Sequence, residues 1–351
     1  MDYEITNLTE FGWGPFYSSQ LEADELTATV PVKVVETHRG KVRIIGQDVD
    51  TLVTPSIGAD DDGITIGDWM LLNSETLQPA RLLERKSLMR RRAPGTDRKW
   101  QLIAANIDTL FIVSSCNDEF NVARLERSLA LVLDAGITPV LILTKSDLAA
   151  SVETYVDTAA ELLDGLVIEV LNARDGDSVN ERLAPWCAKG QTVALIGSSG
   201  VGKSTLTNSL TGHEAEATQA IREDDAKGRH TTTSRNLHRL PSGGWLLDTP
   251  GMRGVEVTDA RDGIEQVFAN IVAFAENCRF RDCKHDSEPG CAVQAALKAG
   301  EIDAKRFKRW KKLDAEESHN SANIAERHVK DRALGKQIRN AIKHKKKQFR
   351  D

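Results

Sequence analysis

The most specific chemistry in this 351-residue chain lies at 197–204, where the pattern Gly-x4-Gly-Lys-Ser follows an apolar run at 193–196. Glycines at these positions let the backbone fold tightly enough for its N–H groups to surround phosphate oxygens. Lys203 would place its charge between the β- and γ-phosphates, and Ser204 offers a hydroxyl to Mg²⁺. The pattern therefore predicts a nucleoside triphosphate site rather than an ordinary glycine-rich turn. Its residues are Gly197, Ser198, Ser199, Gly200, Val201, Gly202, Lys203, Ser204 and Thr205.

A second group with metal-binding chemistry is Cys278-x4-Cys283-x-His285-x5-Cys291. Three thiolates and one imidazole form a suitable ligand set for a tetrahedral structural Zn²⁺. Because four protein ligands leave no open coordination position, we expect the metal to be structural rather than catalytic. The alternative is a set of reduced cysteines without metal. The odd total of five cysteines argues against a disulfide framework.

Two shorter motifs indicate which base the nucleotide carries. Thr144-Lys145-Ser146-Asp147 follows an apolar run at 139–143 and is similar to the Asn-Lys-x-Asp element of GTPases. In that element the carboxylate, here Asp147, accepts hydrogen bonds from N1–H and the exocyclic amine of guanine. Thr144 stands where asparagine is usual. Ala173, between Asn172 and Arg174, is similar to the loop residue whose backbone amide meets guanine O6.

Two more motifs after residue 205 would respond to the γ-phosphate. Gly228-Arg229-His230-Thr231-Thr232-Thr233 resembles a switch I loop, in which a threonine hydroxyl binds Mg²⁺. Asp248-Thr249-Pro250-Gly251 is an Asp-x-x-Gly pattern. Asp248 would hold Mg²⁺ through water and the Gly251 amide would contact the γ-phosphate. By itself this last pattern could also be a strand that ends in a Pro-Gly turn.

The elements that must position these motifs alternate between strand and helix from residue 110. Such alternation predicts a parallel sheet with helices on both faces, in which ligands bind at the carboxyl ends of the strands. Each nucleotide motif follows a predicted strand. The strands are predicted at 110–113, 139–143, 166–170, 193–196 and 245–247. The helices are predicted at 122–133, 153–163, 179–186 and 203–210.

The part of the chain before this sheet has a different pattern. Short alternating segments at 30–35, 41–45, 51–53 and 69–72 predict a small β-barrel over 30–85, of which the OB-fold is a common nucleic-acid-binding type. A small β-domain without that role is the alternative. We expect residues 86–100, rich in arginine, to be a basic linker and residues 1–29 to be an N-terminal leader.

Charge separates the C-terminal end from the rest of the chain. The net charge is −6, yet the segment from Lys305 to Asp351 carries 16 Lys and Arg residues against 6 Asp and Glu residues. A basic tail on an acidic body favours a polyanionic partner, although a charged helix face exposed to water is the simpler reading. We expect helices near 267–274, 305–312 and 326–347. Without a secretory signal or an apolar stretch of membrane-spanning length, we expect a cytoplasmic protein that does not bind membranes.

The order of the motifs is permuted relative to an ordinary GTPase. The base-reading motif at 144–147 precedes the phosphate-binding loop instead of following the switches. Together with the Cys-Cys-His-Cys cluster, this order resembles the ribosome small subunit-dependent GTPase A (RsgA) family. The resemblance extends over nearly everything after residue 30.

That resemblance implies a fold and a function. The expected architecture is a multidomain α/β chain: an OB-type barrel (30–85), a circularly permuted P-loop GTPase domain (101–257) and a helical zinc-binding domain with a basic tail (258–351). The expected cofactors are GTP or GDP with Mg²⁺ and one structural Zn²⁺. The expected role is late maturation of the small ribosomal subunit, with binding to its rRNA and stimulation of GTP hydrolysis by the subunit. We expect a monomer.

One departure from ordinary GTPases affects catalysis. Met252 follows Gly251, where many GTPases have the glutamine that orients the attacking water. His230 is a nearby donor and acceptor, and the resemblance implies that it takes this role; a histidine of an unremarkable loop is the alternative. A different class of function also stays open, a constitutive RNA-binding module in which the nucleotide only stabilises the fold.

Overall fold

The computed structural model describes residues 7–38, 40–54, 63–92, 100–212, 235–248 and 260–321. The strands are β1 (Thr29–His38), β2 (Lys41–Gly46), β3 (Val49–Val53), β4 (Trp69–Asn73), β5 (Pro79–Leu82), β6 (Leu88–Arg92), β7 (Trp100–Ala105), β8 (Thr109–Ser115), β9 (Thr138–Thr144), β10 (Val167–Val170), β11 (Thr192–Gly197), β12 (Arg235–Arg239) and β13 (Trp245–Asp248). The α-helices are α1 (Pro15–Ser18), α2 (Glu25–Ala28), α3 (Val122–Asp134), α4 (Glu153–Ala160), α5 (Gly176–Leu183), α6 (Lys203–Thr211), α7 (Arg261–Val267), α8 (Ala269–Ala275), α9 (Ala292–Ala299) and α10 (Ala304–Ser321).

The predicted parallel sheet is confirmed. Its strands lie in the order β10-β9-β8-β11-β13, and each neighbouring pair is parallel. Alternate residues of β8 face opposite sides: Leu110 and Ile112 join the core that contains α3 and α7, whereas Phe111 and Val113 join the core that contains α5 and α6. Helices therefore cover both faces, which explains why the strand sequences are apolar throughout.

The helix boundaries follow from local capping. The helix predicted at 179–186 begins earlier, at Gly176, because the Asp175 carboxylate accepts a hydrogen bond from Ser178 N at 3.1 Å. In the C-terminal part, the predicted helix near 267–274 is divided into α7 and α8 at the buried Phe268. The helix predicted at 326–347 lies outside the described residues.

The N-terminal β-rich part continues the same sheet. β1 pairs with β2 and β4, β2 pairs with β3, and β4 pairs with β5, all antiparallel. β1 also pairs with β12, which makes one eleven-stranded sheet across both parts. In the described residues, no β3–β5 pair closes these strands into a barrel, so the OB type stays a prediction.

Residues 8–17 pack into the molecule through Glu10, Phe11 and Tyr17, which are buried. The Phe11 ring is fully buried and stacks on Trp245 with 5.0 Å between centroids. The Trp245 indole N–H donates to Glu10 O at 2.7 Å. The buried ammonium of Lys33 donates to Phe11 O at 2.8 Å and to the Thr192 hydroxyl at 3.1 Å. This segment therefore joins β1 to the base of β11, the strand before the phosphate-binding loop.

The arginine-rich segment after residue 86 is partly a hairpin, which corrects the expectation of a linker. β6 pairs antiparallel with β7, and the Arg90 guanidinium lies 4.1 Å from the centre of the Trp100 ring. Leu88 N donates to Ala135 O at 3.1 Å, which attaches the hairpin to the end of α3. The sequence pattern concealed this strand because arginine stems cover apolar surface while their charges stay in water.

Helix α10 holds the C-terminal part against α3. The Arg309 guanidinium donates to the buried Glu126 carboxylate at 2.6 and 3.0 Å, and Arg127 pairs with Glu316 at 2.5 Å. Helix α7 approaches α3 so closely that a Cβ at Gly263 would lie 1.9 Å from Ala130 O. Within the described ranges, no helix combines the length and apolar character needed to cross a bilayer.

Candidate nucleotide site and metal cluster

The phosphate-binding loop connects β11 to α6 at the carboxyl edge of the parallel sheet, as its sequence predicts. Gly197 ends β11 with φ +153°, and a Cβ there would lie 2.3 Å from Val113 O of the neighbouring strand. Gly202 has φ +99° and precedes the first turn of α6. Side chains are excluded from the first position by backbone contact and from the second by its left-handed conformation. The loop thus has the tight backbone that phosphate binding needs.

The Lys203 side chain folds back along this loop. Its ammonium donates to Gly197 O at 2.9 Å and also to Ser198 O. The charge is therefore held at the first two residues of the loop, beside the backbone that would surround the phosphates. Ser199, Gly200, Ser204 and Thr205 lie in the same loop and first helical turn.

Thr144 connects the base-reading motif to the phosphate-binding loop. Its fully buried hydroxyl lies 2.5 Å from Val201 O and 3.1 Å from Ser114 O. Threonine at this position thus makes a direct hydrogen bond to the loop. Lys145 follows in the left-handed region with φ 56°, a conformation that non-glycine residues adopt rarely and often at functional sites. Asp147 lies two residues further on and is exposed to solvent.

The loop after β10 completes the edge of the candidate site. Ala173 is buried, and its carbonyl accepts a hydrogen bond from the Ser209 hydroxyl of α6 at 2.8 Å. The Asn172 side chain accepts from Arg174 N at 3.0 Å. The structure therefore brings together the motifs that follow β9, β10 and β11, although Thr144 of the first and Val201 of the last are 57 residues apart in the chain.

The switch motifs are described only in part. His230, Thr231, Thr232 and Gly251 lie outside the described residues, as does Met252. Asp248 is the last residue of β13, which runs parallel to β11. Its backbone therefore lies at the same carboxyl edge as the phosphate-binding loop.

The candidate metal ligands Cys278, Cys283, His285 and Cys291 converge, with all four ligand atoms within 4.8 Å of one another. The sulfur atoms of Cys278 and Cys291 are 3.8 Å apart, and His285 Nδ1 lies 3.6 and 3.5 Å from them. Zinc bonds of about 2.3 Å to sulfur and 2.0 Å to nitrogen, at tetrahedral angles, give edges of about 3.8 and 3.5 Å. The residues therefore fit a tetrahedral metal ion.

Helix α9 supports this cluster from its N-terminus. Gln294 N donates to the Cys291 sulfur at 3.4 Å. Burial raises the pKa of the Cys278 thiol, but hydrogen bonds from the backbone N–H groups of Val293 and Ala292 and with the thiols of Cys291 and Cys283 together outweigh it and lower that pKa overall. Burial lowers the pKa of His285, which favours the neutral imidazole that a metal requires. Burial raises the pKa of the Cys283 thiol to about 11, so the surroundings favour the metal-binding protonation state at Cys278 and His285 but not at Cys283.

Glu288 is a supporting residue that sequence reasoning missed. Its carboxylate accepts hydrogen bonds from three backbone N–H groups of the loop between the second and fourth ligands, at 2.8 to 3.0 Å. The donors are Lys284, Asp286 and Ser287. These bonds lower the pKa of Glu288 to about 2. The residue therefore shapes the loop that carries His285, and the signal for it was a carboxylate inside a short ligand spacing.

Comparison with known proteins gives a consistent result. The family model described as RsgA GTPase matches residues 82–258. A model described as ABC transporter matches residues 183–339, a range that contains the same phosphate-binding loop. The chain is 46% identical over 342 residues to the small ribosomal subunit biogenesis GTPase RsgA 2 of Vibrio parahaemolyticus, which covers 97% of this chain and 94% of that protein. It is 49% identical over 318 residues to the RsgA protein of Mesorhizobium japonicum, with 90% of this chain and 91% of that protein covered.

Two solved structures have the same fold. The structure of YjeQ from Thermotoga maritima matches with a TM-score of 0.59 at 23% identity, covering 82% of this chain and 98% of that one. The structure of YloQ, described as a circularly permuted GTPase, matches with a TM-score of 0.58 at 24% identity, covering 86% of this chain and all of that one. The permuted motif order and the sheet topology therefore have solved counterparts.

Proposed function

The chain belongs to the RsgA GTPase family, and on that premise we propose that it is a GTP-hydrolysing maturation factor of the small ribosomal subunit. The observation that carries the proposal is the hydrogen bond between Thr144 and Val201 O, because it joins a base-reading motif to a phosphate-binding loop. In this assignment, GTP hydrolysis times the release of the protein from the subunit.

The nucleotide is assigned to the carboxyl edge of the parallel sheet. Asp147 accepts from guanine N1–H and the exocyclic amine, and the Ala173 amide donates to guanine O6. The Ser204 hydroxyl would bind Mg²⁺ and the Asp248 carboxylate would hold it through water, and the ion would supply neutralisation of the phosphate charge during hydrolysis. Thr231 and Thr232 would complete the contacts with the ion and the γ-phosphate.

Water positioning is assigned to His230. A methionine such as Met252 cannot orient water by hydrogen bonding, so this chain needs another donor and acceptor near the γ-phosphate. His230 lies in the segment that matches switch I. Subunit binding would hold that segment in the orientation that hydrolysis requires.

The Cys278, Cys283, His285 and Cys291 cluster is assigned to one structural Zn²⁺. The match between the interatomic distances and tetrahedral edges supports zinc, and four protein ligands leave no position for a substrate.

The partner is assigned as the small subunit with its rRNA. On α10, Lys305, Lys308 and Lys312 are exposed at a spacing that places them on one helix face. Such a stripe suits phosphate contacts. Together with the β-rich N-terminal part, it gives the protein two surfaces for RNA. We assign a cytoplasmic monomer that does not bind membranes.

The test compares GTP turnover and subunit binding. A timed switch is expected to hydrolyse GTP faster with purified small subunits, and to bind them more tightly with a non-hydrolysable GTP analogue than with GDP. The alternative, a constitutive RNA-binding module, predicts unchanged turnover and equal binding in both nucleotide states. Lys203→Ala is the control, since it removes the phosphate-binding ammonium and should abolish turnover under both conditions.

A further inference from the structure

Two cations converge on one residue of the phosphate-binding loop. The Lys203 ammonium donates to the carbonyl of Ser198, and the Arg124 guanidinium donates to the hydroxyl of the same residue. Lys203 belongs to the phosphate-binding pattern, whereas Arg124 belongs to α3 and to none of the sequence motifs. The convergence therefore points to a second positive group at the phosphate end of the nucleotide site.

The position of Arg124 is fixed by the fold. It lies in the first turn of α3, where the Asn121 side chain accepts a hydrogen bond from Arg124 N at 3.0 Å. Two residues later, the buried Glu126 is held by Arg309 of α10. A small pocket lies between this first turn and the loop, and its lining includes Glu119, Asn121, Arg124, Gly197 and Ser198. The backbone that carries the guanidinium is thus anchored on both sides.

The present partners of Arg124 are weak compared with a phosphate. The carboxylate of Glu119 lies 3.9 Å away, and both side chains are about half exposed, at 49% and 53%. Exposed ion pairs of this kind contribute about 0–1 kcal/mol. The other partner, the Ser198 hydroxyl, is neutral. A planar guanidinium forms paired, charge-assisted hydrogen bonds with a phosphate, which are stronger than either contact.

We propose that Arg124 is a substrate-contacting residue that binds the terminal phosphate of GTP in cis. Lys203 reaches the β- and γ-phosphates in a phosphate-binding loop, and Arg124 approaches the same loop residue from the α3 side. When GTP binds, the guanidinium exchanges the Ser198 hydroxyl for a γ-phosphate oxygen. Because GDP lacks that phosphate, Arg124 distinguishes GTP from GDP and adds charge stabilisation during hydrolysis.

This inference rests on the proposed GTPase function, and the test separates the two. Equilibrium affinities for a non-hydrolysable GTP analogue and for GDP are measured with the unaltered protein, Arg124→Ala and Arg124→Lys. Arg182→Ala is the matched control. Arg182 lies on α5, is also 49% exposed and pairs with Glu169 of β10 at 3.0 Å. Thermal unfolding without nucleotide checks that each variant is folded.

For Arg124→Ala we expect affinity for the GTP analogue to fall about ten- to a hundredfold, the usual loss for a charge-assisted hydrogen bond, with GDP affinity unchanged within about twofold. Arg124→Lys should recover part of the loss, because it keeps the charge without the planar geometry. Arg182→Ala should leave both affinities unchanged. Equal losses for both nucleotides, or no loss for the GTP analogue, would overturn the assignment. If the unaltered protein binds neither nucleotide, the proposed GTPase function fails instead.

Discussion

The nucleotide site and the metal cluster are held together in opposite ways. The nucleotide motifs lie at the ends of three strands, β9, β10 and β11, and are joined by contacts between distant residues, such as Thr144 with Val201. The four metal ligands lie within 278–291, in a loop whose hydrogen bonds are mostly local. The sheet beneath the first site has a large apolar core, whereas within 278–291 the residues that join or pack against that core are the three cysteines.

This difference determines what each site needs in order to exist. A site on a packed sheet keeps its geometry without a ligand, because burial of the strands supplies the stability. A short loop with few apolar contacts depends on the metal, so that the free energy of metal binding becomes folding free energy. Substitution of a binding side chain should therefore disturb the structure of the metal cluster. At the nucleotide site the same kind of change should alter binding or catalysis and leave the fold intact.

Removal of a metal ligand is expected to have the largest effect. Purified protein should contain about one zinc per chain, and Cys283→Ala should lose most of it and loosen residues 278–291, because three ligands hold the ion much less tightly than four. GTP binding should change little, since none of the four candidate ligands belongs to the nucleotide motifs. The measurements are metal analysis and hydrogen exchange of the loop. Cys187→Ala, which changes a buried cysteine outside the cluster, is the control for zinc content.

Two results would contradict this distinction between the sites. If freshly prepared protein contains no zinc, the cluster is not a metal site. If Cys283→Ala abolishes GTP binding, the two sites are structurally coupled.

Substitution of His230 is the next largest change, and it should act on chemistry alone. His230→Ala should lower the subunit-stimulated hydrolysis rate by about ten- to a thousandfold, the range for loss of one positioned polar group. Affinities for GTP and for the subunit should remain. Single-turnover hydrolysis with saturating subunits measures this, with His38→Ala, a change to an exposed histidine of β1, as the control. Equal hydrolysis rates in His230→Ala and in the unaltered protein would show that a ribosomal group or the protein backbone positions the attacking water.

A change in base specificity should likewise alter nucleotide binding without altering the stability of the fold. Asp147→Asn should weaken GTP about a hundredfold, because two hydrogen bonds to a charged acceptor are lost, and should improve xanthosine triphosphate, whose position-2 carbonyl needs a donor. The thermal unfolding temperature without nucleotide should not change, since Asp147 is exposed. Competition binding with the three triphosphates provides the measurement. If ATP competes equally with GTP in the unaltered protein, the guanine assignment is wrong.

The sequence predicts the two sites better than it predicts the long-range contacts of the scaffold that carries them. The phosphate-binding loop is predictable because its backbone conformation requires glycine at Gly197 and Gly202, and this requirement is visible in a short stretch of sequence. The convergence of the four candidate metal ligands is predictable because their spacing is short. In contrast, the stack of Phe11 on Trp245 joins residues more than two hundred positions apart, and no local pattern marks it. The contact between Arg124 and Ser198 is hidden for the same reason, since it depends on how α3 packs.

The last expected effect is on stability and concerns the scaffold beneath the nucleotide site. Lys33 is fully buried, and burial lowers its pKa to about 8, against the opposing influence of Asp108 and with a further lowering by Lys86. The ammonium joins the N-terminal segment to Thr192 at the base of β11. Because the pKa is lower in the folded protein than in the unfolded chain, the unfolded chain binds more protons between about pH 8 and pH 10.5. Lys33 therefore opposes folding below about pH 8, and that penalty disappears as the pH rises through this window.

The expected result is a difference in how steeply the free energy of unfolding changes with pH. Relative to Lys33→Met, the unaltered protein should gain stability, about 3 kcal/mol in total and several degrees in unfolding temperature, as the pH rises through this window. Lys86→Met, which changes a lysine that is not fully buried, should keep most of the slope. Denaturant unfolding at a series of pH values, followed by tryptophan fluorescence, measures it. Since Lys33 lies under β11 and outside the metal loop, hydrogen exchange at 278–291 should be the same in the unaltered protein and in Lys33→Met at each pH. A parallel slope in Lys33→Met would show that Lys33 keeps an ordinary lysine pKa in the folded protein, so that its charge is solvated or compensated there.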